Sequence, residues 1–207
     1  MSLSGSQLSG GNSASSREMN DFYATDPLAV SKLFDCFDRD GVDYPSDSYC
    51  LEPCVGTGNI VSELKRKAYF LNRTDWTCVD IVDRGFPNTI VHDFLTWQTD
   101  KKYHFVISNP PFSLASEFIE KSIDLLLPEC MCCMFLKLQF LEGTKRKALF
   151  DKYPPKYIYV FRSRMATWKN GKPLNPETGK KWAETICFAW FVWVKGSKTE
   201  PIIRWID

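Results

Sequence analysis

The sequence predicts an α/β protein built on a mostly parallel sheet with helices on both faces. Three observations predict it. Apolar, strand-like runs alternate with stretches of helical spacing along most of the chain. A glycine turn, VGTGN (55–59), separates the first long strand from the helix after it. The last two long apolar runs, KYIYVF and ICFAWFVWV, have no helical pattern between them, which makes them an antiparallel C-terminal hairpin.

The elements follow in order. Residues 1–20, rich in Ser, Gly and Asn, read as a flexible tail. Thr25 or Asp26 caps a helix with Pro27 in its first turn; Val30, Leu33, Phe34 and Phe37 follow at helical spacing, and DRDG ends it. SYCLEP (48–53) is a strand, and IVSELKRKA (60–68) is the helix after the glycine turn. DWTCVD, NTIVHD and HFVIS are the second to fourth strands. In LASEFIEKSIDLLL (114–127), Leu114, Phe118, Ser122 or Ile123, and Leu126 share one face, which is helical. MCCMFL is the fifth strand, TKRKALF a helix that Thr144 can cap, and KYIYVF and ICFAWFVWV complete a seven-stranded sheet. IIRWI (202–206) is a candidate edge piece. Residues 163–185 are polar, basic and rich in Gly and Pro, a long loop of the sort that is usually functional.

A chain of 207 residues with 44% hydrophobic and 14% aromatic content suits one globular domain, 21–207, after the tail. No apolar run is long enough to span a membrane, and the start carries neither a basic nor an apolar signal region, so a cytoplasmic protein is expected. Of the eight cysteines only Cys130 and Cys133 stand at CxxC spacing, inside an apolar strand-like run and with no second pair, which argues for buried reduced thiols and against a metal site. The net charge of +1 is unevenly spread. Residues 18–52 hold nine acidic side chains, Asp21, Asp40 and Asp47 among them, against Lys32 and Arg39. Residues 137–181 hold twelve basic ones against Glu142, Asp151 and Glu177. The basic stretch is interleaved with aromatics, which fits a polyanion partner; a solvated lysine-rich surface is the plainer alternative.

Two stretches bear chemistry. In LEPCVGTGNI (51–60), Gly56 and Gly58 let backbone approach a ligand at a helix N-terminus, unless they serve a mere tight turn. Position 61 is valine and no Gly-Lys-Ser/Thr follows, which disfavours NAD and ATP. Asp80 closes the second strand, where an acidic residue accepts hydrogen bonds from ribose hydroxyls; Asp83 competes for the role. Asp93 and Phe94 end the third strand. In SNPPFS (108–113), Pro110 and Pro111 stop the fourth strand in a stiff, extended turn. That turn can aim the Asn109 side-chain oxygen and the Pro110 carbonyl at one point, with Phe112 as a flat face beside it. Two acceptors and a flat face make a seat for an amino group on a planar ring.

These pieces in this order resemble the class I S-adenosylmethionine-dependent methyltransferases that act on adenine N6, above all the small phage and prophage DNA adenine methylases. The motifs are DFYATDP (21–27), LEPCVGTGNI, NPPF, FLEG with Arg146 and Leu149-Phe150, a VF..R strand end (160–164) and FAWFVW (188–193), and the resemblance covers Asp21 to Ile206. It implies a Rossmann-like fold and S-adenosylmethionine as cofactor. Tyr23 and Thr25 would contact its methionine part; Glu52, Pro53, Gly56 and Gly58 would shape the pocket; Asp80 would hold the ribose, and Asp93 with Phe94 the adenine. Asn109, Pro110, Pro111 and Phe112 would form the catalytic turn, gripping a target adenine flipped out of DNA. The 163–185 loop would lie on the active-site face, with Arg162, Arg164, Lys169, Lys180 and Lys181 near phosphates and Trp168 either stacked on a base or anchoring the loop. The competing readings are an RNA adenine or protein glutamine methyltransferase, and a silent nucleic-acid-binding protein of the same fold.

Overall fold

In the central strands, apolar residues run on without polar alternation, so both faces must be covered. The computed structural model describes residues 22–44, 48–67, 74–182 and 185–207; the 1–20 tail, Asp21 and Asp47 lie outside the described residues. The main sheet contains β2 (Tyr49–Glu52), β3 (Asp75–Asp80), β4 (Ile90–Val91), β5 (Tyr103–Ser108), β6 (Leu126–Lys137), β7 (Tyr157–Phe161), β9 (Phe188–Val194) and β10 (Ile202–Ile206). Their order is β10-β7-β9-β6-β5-β2-β3-β4. Every pairing is parallel except those of β9, which runs antiparallel to both β6 and β7. The sheet therefore has eight strands where seven were expected. The extra one is the candidate edge piece, which lies parallel to β7 along its whole length.

Period-two alternation divides the interior into two cores. Phe105, Ile107, Met131, Cys133, Phe135 and Trp190 face α1 (Pro27–Asp40) and α2 (Asn59–Arg66). Val106, Cys132, Met134, Leu136 and Phe191 face α3 (Ala115–Leu125) and Leu149 of α4 (Lys147–Lys152). The Trp190 indole donates to the Ala29 carbonyl at 2.9 Å, fixing α1 on the sheet. Burial pushes the Cys50 and Cys78 thiols up to about 12, as expected of packing residues. Among the described residues no His/Cys/Asp/Glu group is arranged to hold a metal ion, and no helix is long and apolar enough to cross a membrane.

Local chemistry sets the element ends. Asp26, and not Thr25, caps α1: its carboxylate accepts from the Leu28 N–H at 2.9 Å, and Gly41 closes the helix in the left-handed region at φ 64°. The TKRKALF helix divides, with a 3-10 turn at Thr144–Arg146 preceding α4, and Thr144 makes no side-chain cap. The Arg146 guanidinium ties this entry to the turn before it. It donates to the carbonyls of Phe140 at 2.8 Å and Gln139 at 3.3 Å and to that of Glu142, binding the FLEG turn to the helix entry. The 163–185 segment is not a plain loop. It holds β8 (Thr167–Lys169), which pairs antiparallel with β1 (Tyr23–Thr25) as a separate two-stranded sheet. Asp26→Ala should cost about 1 kcal/mol of stability through the lost cap, read as a lower urea midpoint at unchanged m-value.

Candidate active site

The chain reverses direction across the sheet between β2 and β5. The first leads on to β3 and β4 on one side, and the second to β6 on the other. Such a switch leaves a crevice beyond the carboxyl ends of the two strands. The glycine turn leaves β2 there, and Asn109 leaves β5.

The turn after β5 is held from outside. The Asn109 Nδ2 donates to the Tyr23 carbonyl at 2.9 Å, so the amide nitrogen is committed and Oδ1 is the atom left to accept. Pro110 is buried, and the Pro111 carbonyl accepts from the Leu114 N–H at 2.9 Å, turning the chain into α3. Phe112 packs on Phe188 with ring centroids 5.9 Å apart, and Phe188 stacks on Phe135 at 4.8 Å. The Lys137 ammonium, at the end of β6, lies 4.8 Å from the Phe112 centroid.

β1 and β8 roof this crevice. The Thr25 carbonyl accepts from Asn59 Nδ2 at 3.0 Å, and the Phe22 carbonyl from the Asn170 N–H at 2.7 Å. Gly56 and Gly58 stand at φ 56° and 79°, and a Cβ on either would overlap an aromatic ring, Phe22 at the first and Phe86 at the second. What approaches these glycines is therefore the protein's own rings. Arg84 lies 4.4 Å over Phe22.

The structure separates the two candidate aspartates. Asp80 accepts from Gly56 N–H at 2.8 Å and Val82 N–H at 3.0 Å, one to each oxygen, whereas Asp83 caps a local turn through Gly85 N–H. Glu52 is 1% exposed, and its Oε2 has no hydrogen-bond partner. Burial, and then the nearby Asp80 charge, push its carboxyl well above the usual range. The Thr25 Oγ1 is likewise buried without a partner. An ammonium fits beside such a carboxylate, and hydroxyls fit an aspartate that keeps further lone pairs; these residues suit an amino acid–nucleoside cofactor. Asp93 accepts from the Leu95 N–H at 2.9 Å, and Phe94 is buried in the core against Phe118, with the Lys121 ammonium 5.0 Å from its ring centroid.

The basic residues part company. Lys169 lies opposite Tyr23 in the roof and Trp168 opposite Ala24, half-buried. Lys180 and Lys181 are exposed on a small hairpin, closed by the Leu174–Lys181 bridge and by the Trp182 indole donating to the Lys172 carbonyl at 2.7 Å. Arg164 donates to the Cys187 sulfur. Arg162 sits elsewhere: it pairs with Asp207 at 3.0 Å beside β10, with β9 and β6 between its strand and β5. Sequence reading missed Phe22, Phe86, Arg84 and Lys137. Phe22 lies within the quoted DFYATDP motif, while the others carried no signal short of the folded chain.

This is the fold of the class I S-adenosylmethionine-dependent methyltransferases. A protein of Listeria monocytogenes described as such an enzyme superposes with a TM-score of 0.62 at 12% identity, over 93% of this chain and 68% of that one. The methyltransferase subunit of a type I restriction-modification system from Streptococcus thermophilus gives 0.62 at 14% identity, over 90% of this chain and 48% of that one. A Pyrococcus horikoshii protein described as an RNA methyltransferase gives 0.57 at 15% identity, over 84% and 86%. In sequence, a 68-residue stretch is 41% identical to the type II methyltransferase M.CvrRI of Paramecium bursaria Chlorella virus XZ-6E. That stretch is 30% of this chain and 18% of the viral protein. No protein-family model matches the chain.

Glu52 yields a prediction with a definite sign. Its folded pKa is raised, so its stabilising contribution is full below the unfolded value of about 4.5 and is lost as pH rises through the folded one. Glu52→Gln should therefore melt above the parent chain at pH 8 without ligand. The gap should close as pH falls toward 4.5, followed by thermal melts across that range.

Proposed function

We propose that this chain is an S-adenosylmethionine-dependent DNA methyltransferase acting on the N6 amine of adenine. The observation that carries the reading is the bond from Asn109 Nδ2 to the Tyr23 carbonyl. It turns a side chain able to donate or accept into a fixed acceptor beside the Pro110 carbonyl. Two acceptors suit an amine with two N–H groups. The type II methyltransferase resemblance and the restriction-modification neighbour favour DNA among the possible carriers of that amine.

S-adenosylmethionine, when bound, supplies an electrophilic methyl group on sulfur. The Glu52 carboxylate and Thr25 hydroxyl would hold its ammonium-bearing end, and Asp80 its ribose. Asp80 already receives one backbone N–H on each oxygen, and each oxygen keeps a second lone pair for a hydroxyl. Asn109 Oδ1 and the Pro110 carbonyl accept from the target amine. That favours a pyramidal nitrogen, whose lone pair leaves conjugation with the ring and becomes free to form the N–C bond as the sulfur–methyl bond breaks, its electron pair going to the sulfur of the departing S-adenosylhomocysteine; the nitrogen then sheds one proton to solvent. Catalysis is positioning plus electrostatic stabilisation. A duplex adenine must be flipped out at a cost of a few kcal/mol, offset in part by about 1–3 kcal/mol of stacking on Phe112. Lys169, Lys180 and Lys181 would run along the phosphates, with Arg164 and Trp168 beside them; Arg162, held by Asp207, would serve the sheet edge.

Incubating the protein with unmethylated DNA and methyl-labelled cofactor, then analysing nucleosides, should yield labelled N6-methyl-2′-deoxyadenosine; label in RNA or in protein glutamine would displace this reading. Asn109→Ala should lower transfer by about 10²–10³-fold while cofactor binding survives in calorimetry. Exchanging Lys180 and Lys181 for Gln should weaken DNA binding, and the log–log salt slope should flatten by about 0.9 for each lost phosphate contact.

A further inference from the structure

Lys137 has no role in the site as argued so far, yet its ammonium stands beside the turn that carries Asn109. It is the last residue of β6, directly opposite Phe188 in the β6–β9 ladder. Its ammonium lies over the Phe112 ring, 4.8 Å from the centroid. The ring itself is tilted 37° against Phe188, which stacks on Phe135 at 14°. Core packing thus fixes Phe112, and β6 brings a cation to its face.

We infer that Lys137 donates a hydrogen bond to a ring nitrogen of the target base and is a specificity-determining residue; the inference rests on the adenine-N6 reading above. A planar base laid on Phe112 at about 3.5 Å brings its rim to where the ammonium stands. An ammonium has three donors and no acceptor, so what a base can offer one of those donors is a lone pair in the base plane. Asn109 and Pro110 offer the opposite, acceptors for N–H groups. Together they read an edge that carries an amine donor beside a ring-nitrogen acceptor, as adenine and cytosine do and guanine and thymine do not. Guanine and thymine present a carbonyl where that amine must be, and two acceptors then face a third. The same bond ties up a ring lone pair that would otherwise compete with the less nucleophilic amine for the methyl group.

The test compares the parent chain with Lys137→Met on an oligonucleotide that it methylates, carrying adenine, 1-deaza-, 3-deaza- or 7-deazaadenine at the target. The parent should lose about 10- to 100-fold in kcat/KM with one of the three analogues, the range of a charge-assisted bond. Lys137→Met should show that loss on unmodified adenine and no further loss with the same analogue, while Lys137→Arg restores part of the activity. Tolerance of all three analogues by the parent, or losses that multiply in the variant, would overturn the inference and leave adenine methylation standing. A steeper salt effect without analogue sensitivity would assign Lys137 to phosphate, and so also overturn it. Failure of the parent to make any N6-methyladenine would sink the underlying reading and this inference with it.

Discussion

The Tyr23 carbonyl does two things at once. It lies in a three-residue strand that cannot stand alone, and it fixes which end of the Asn109 amide faces the crevice. A two-stranded ladder as short as β1–β8 is marginal in water, so its position must be imposed from elsewhere. The molecule imposes it at several points: Ala24 is buried, Asn59 reaches up to the Thr25 carbonyl, Asn170 donates to Phe22, and the Phe22 ring fills the space beside Gly56 and Gly171. The glycines are therefore obligatory for the roof as well as for the turn. Larger residues there would push the roof off the sheet and release Asn109 to rotate.

The core reaches the site by an aromatic route. Phe135 lies in the middle of the α1-side core, Phe188 stacks on it, and Phe112 leans on Phe188. Because β9 lies between β6 and β7, Phe188 sits at the carboxyl end of the sheet although its own strand runs the opposite way. An antiparallel strand at this place lets a ring near the start of one strand buttress a turn at the end of another. A parallel insertion would put the residue following the strand there, at the start of a loop and less firmly held.

Much of this could be read in the sequence wherever local chemistry decides. The prolines after β5, the glycines after β2, the Asp26–Pro27 helix start and the continuous apolar run of β9 each announce their structure within a few residues. What escaped was decided by distant parts of the chain. β8 is the tripeptide Thr-Trp-Lys inside a polar loop, too short to show alternation, and it becomes a strand because β1 lies alongside. Arg162, read as lying near phosphates, stands in the fold 3.0 Å from the carboxylate of Asp207, a neighbour that the local sequence does not announce. The acidic stretch ending α1 had no visible purpose. In the fold, Asp40 pairs with Arg39 at 2.8 Å and reaches Arg204 at 3.7 Å, while Asp38 accepts from the Tyr44 hydroxyl at 3.1 Å, so these carboxylates join the helix end to its surroundings. Phe94, read as a contact for the cofactor's adenine, is buried with its ring against Phe118 of α3.

Glu52 is the residue that stability alone does not explain. A carboxylate this deeply enclosed, next to a second one at Asp80, pays twice, in desolvation and in like-charge repulsion. Asp80 has compensation from two backbone N–H groups, but the Glu52 Oε2 has none. An alanine or glutamine would fold more easily. Costly placement of this kind is what binding sites require, since a positive group seated there would find an acceptor already stripped of water and held in place. The same logic ties the acid to the neighbouring amide. Both are polar groups at the carboxyl ends of adjacent strands, Asn109 oriented by its bond to Tyr23 and Glu52 with one oxygen unpartnered, so that a carboxyl whose ionised form is costly stands near a neutral acceptor. A cation and an amine are the two partners which that pair distinguishes.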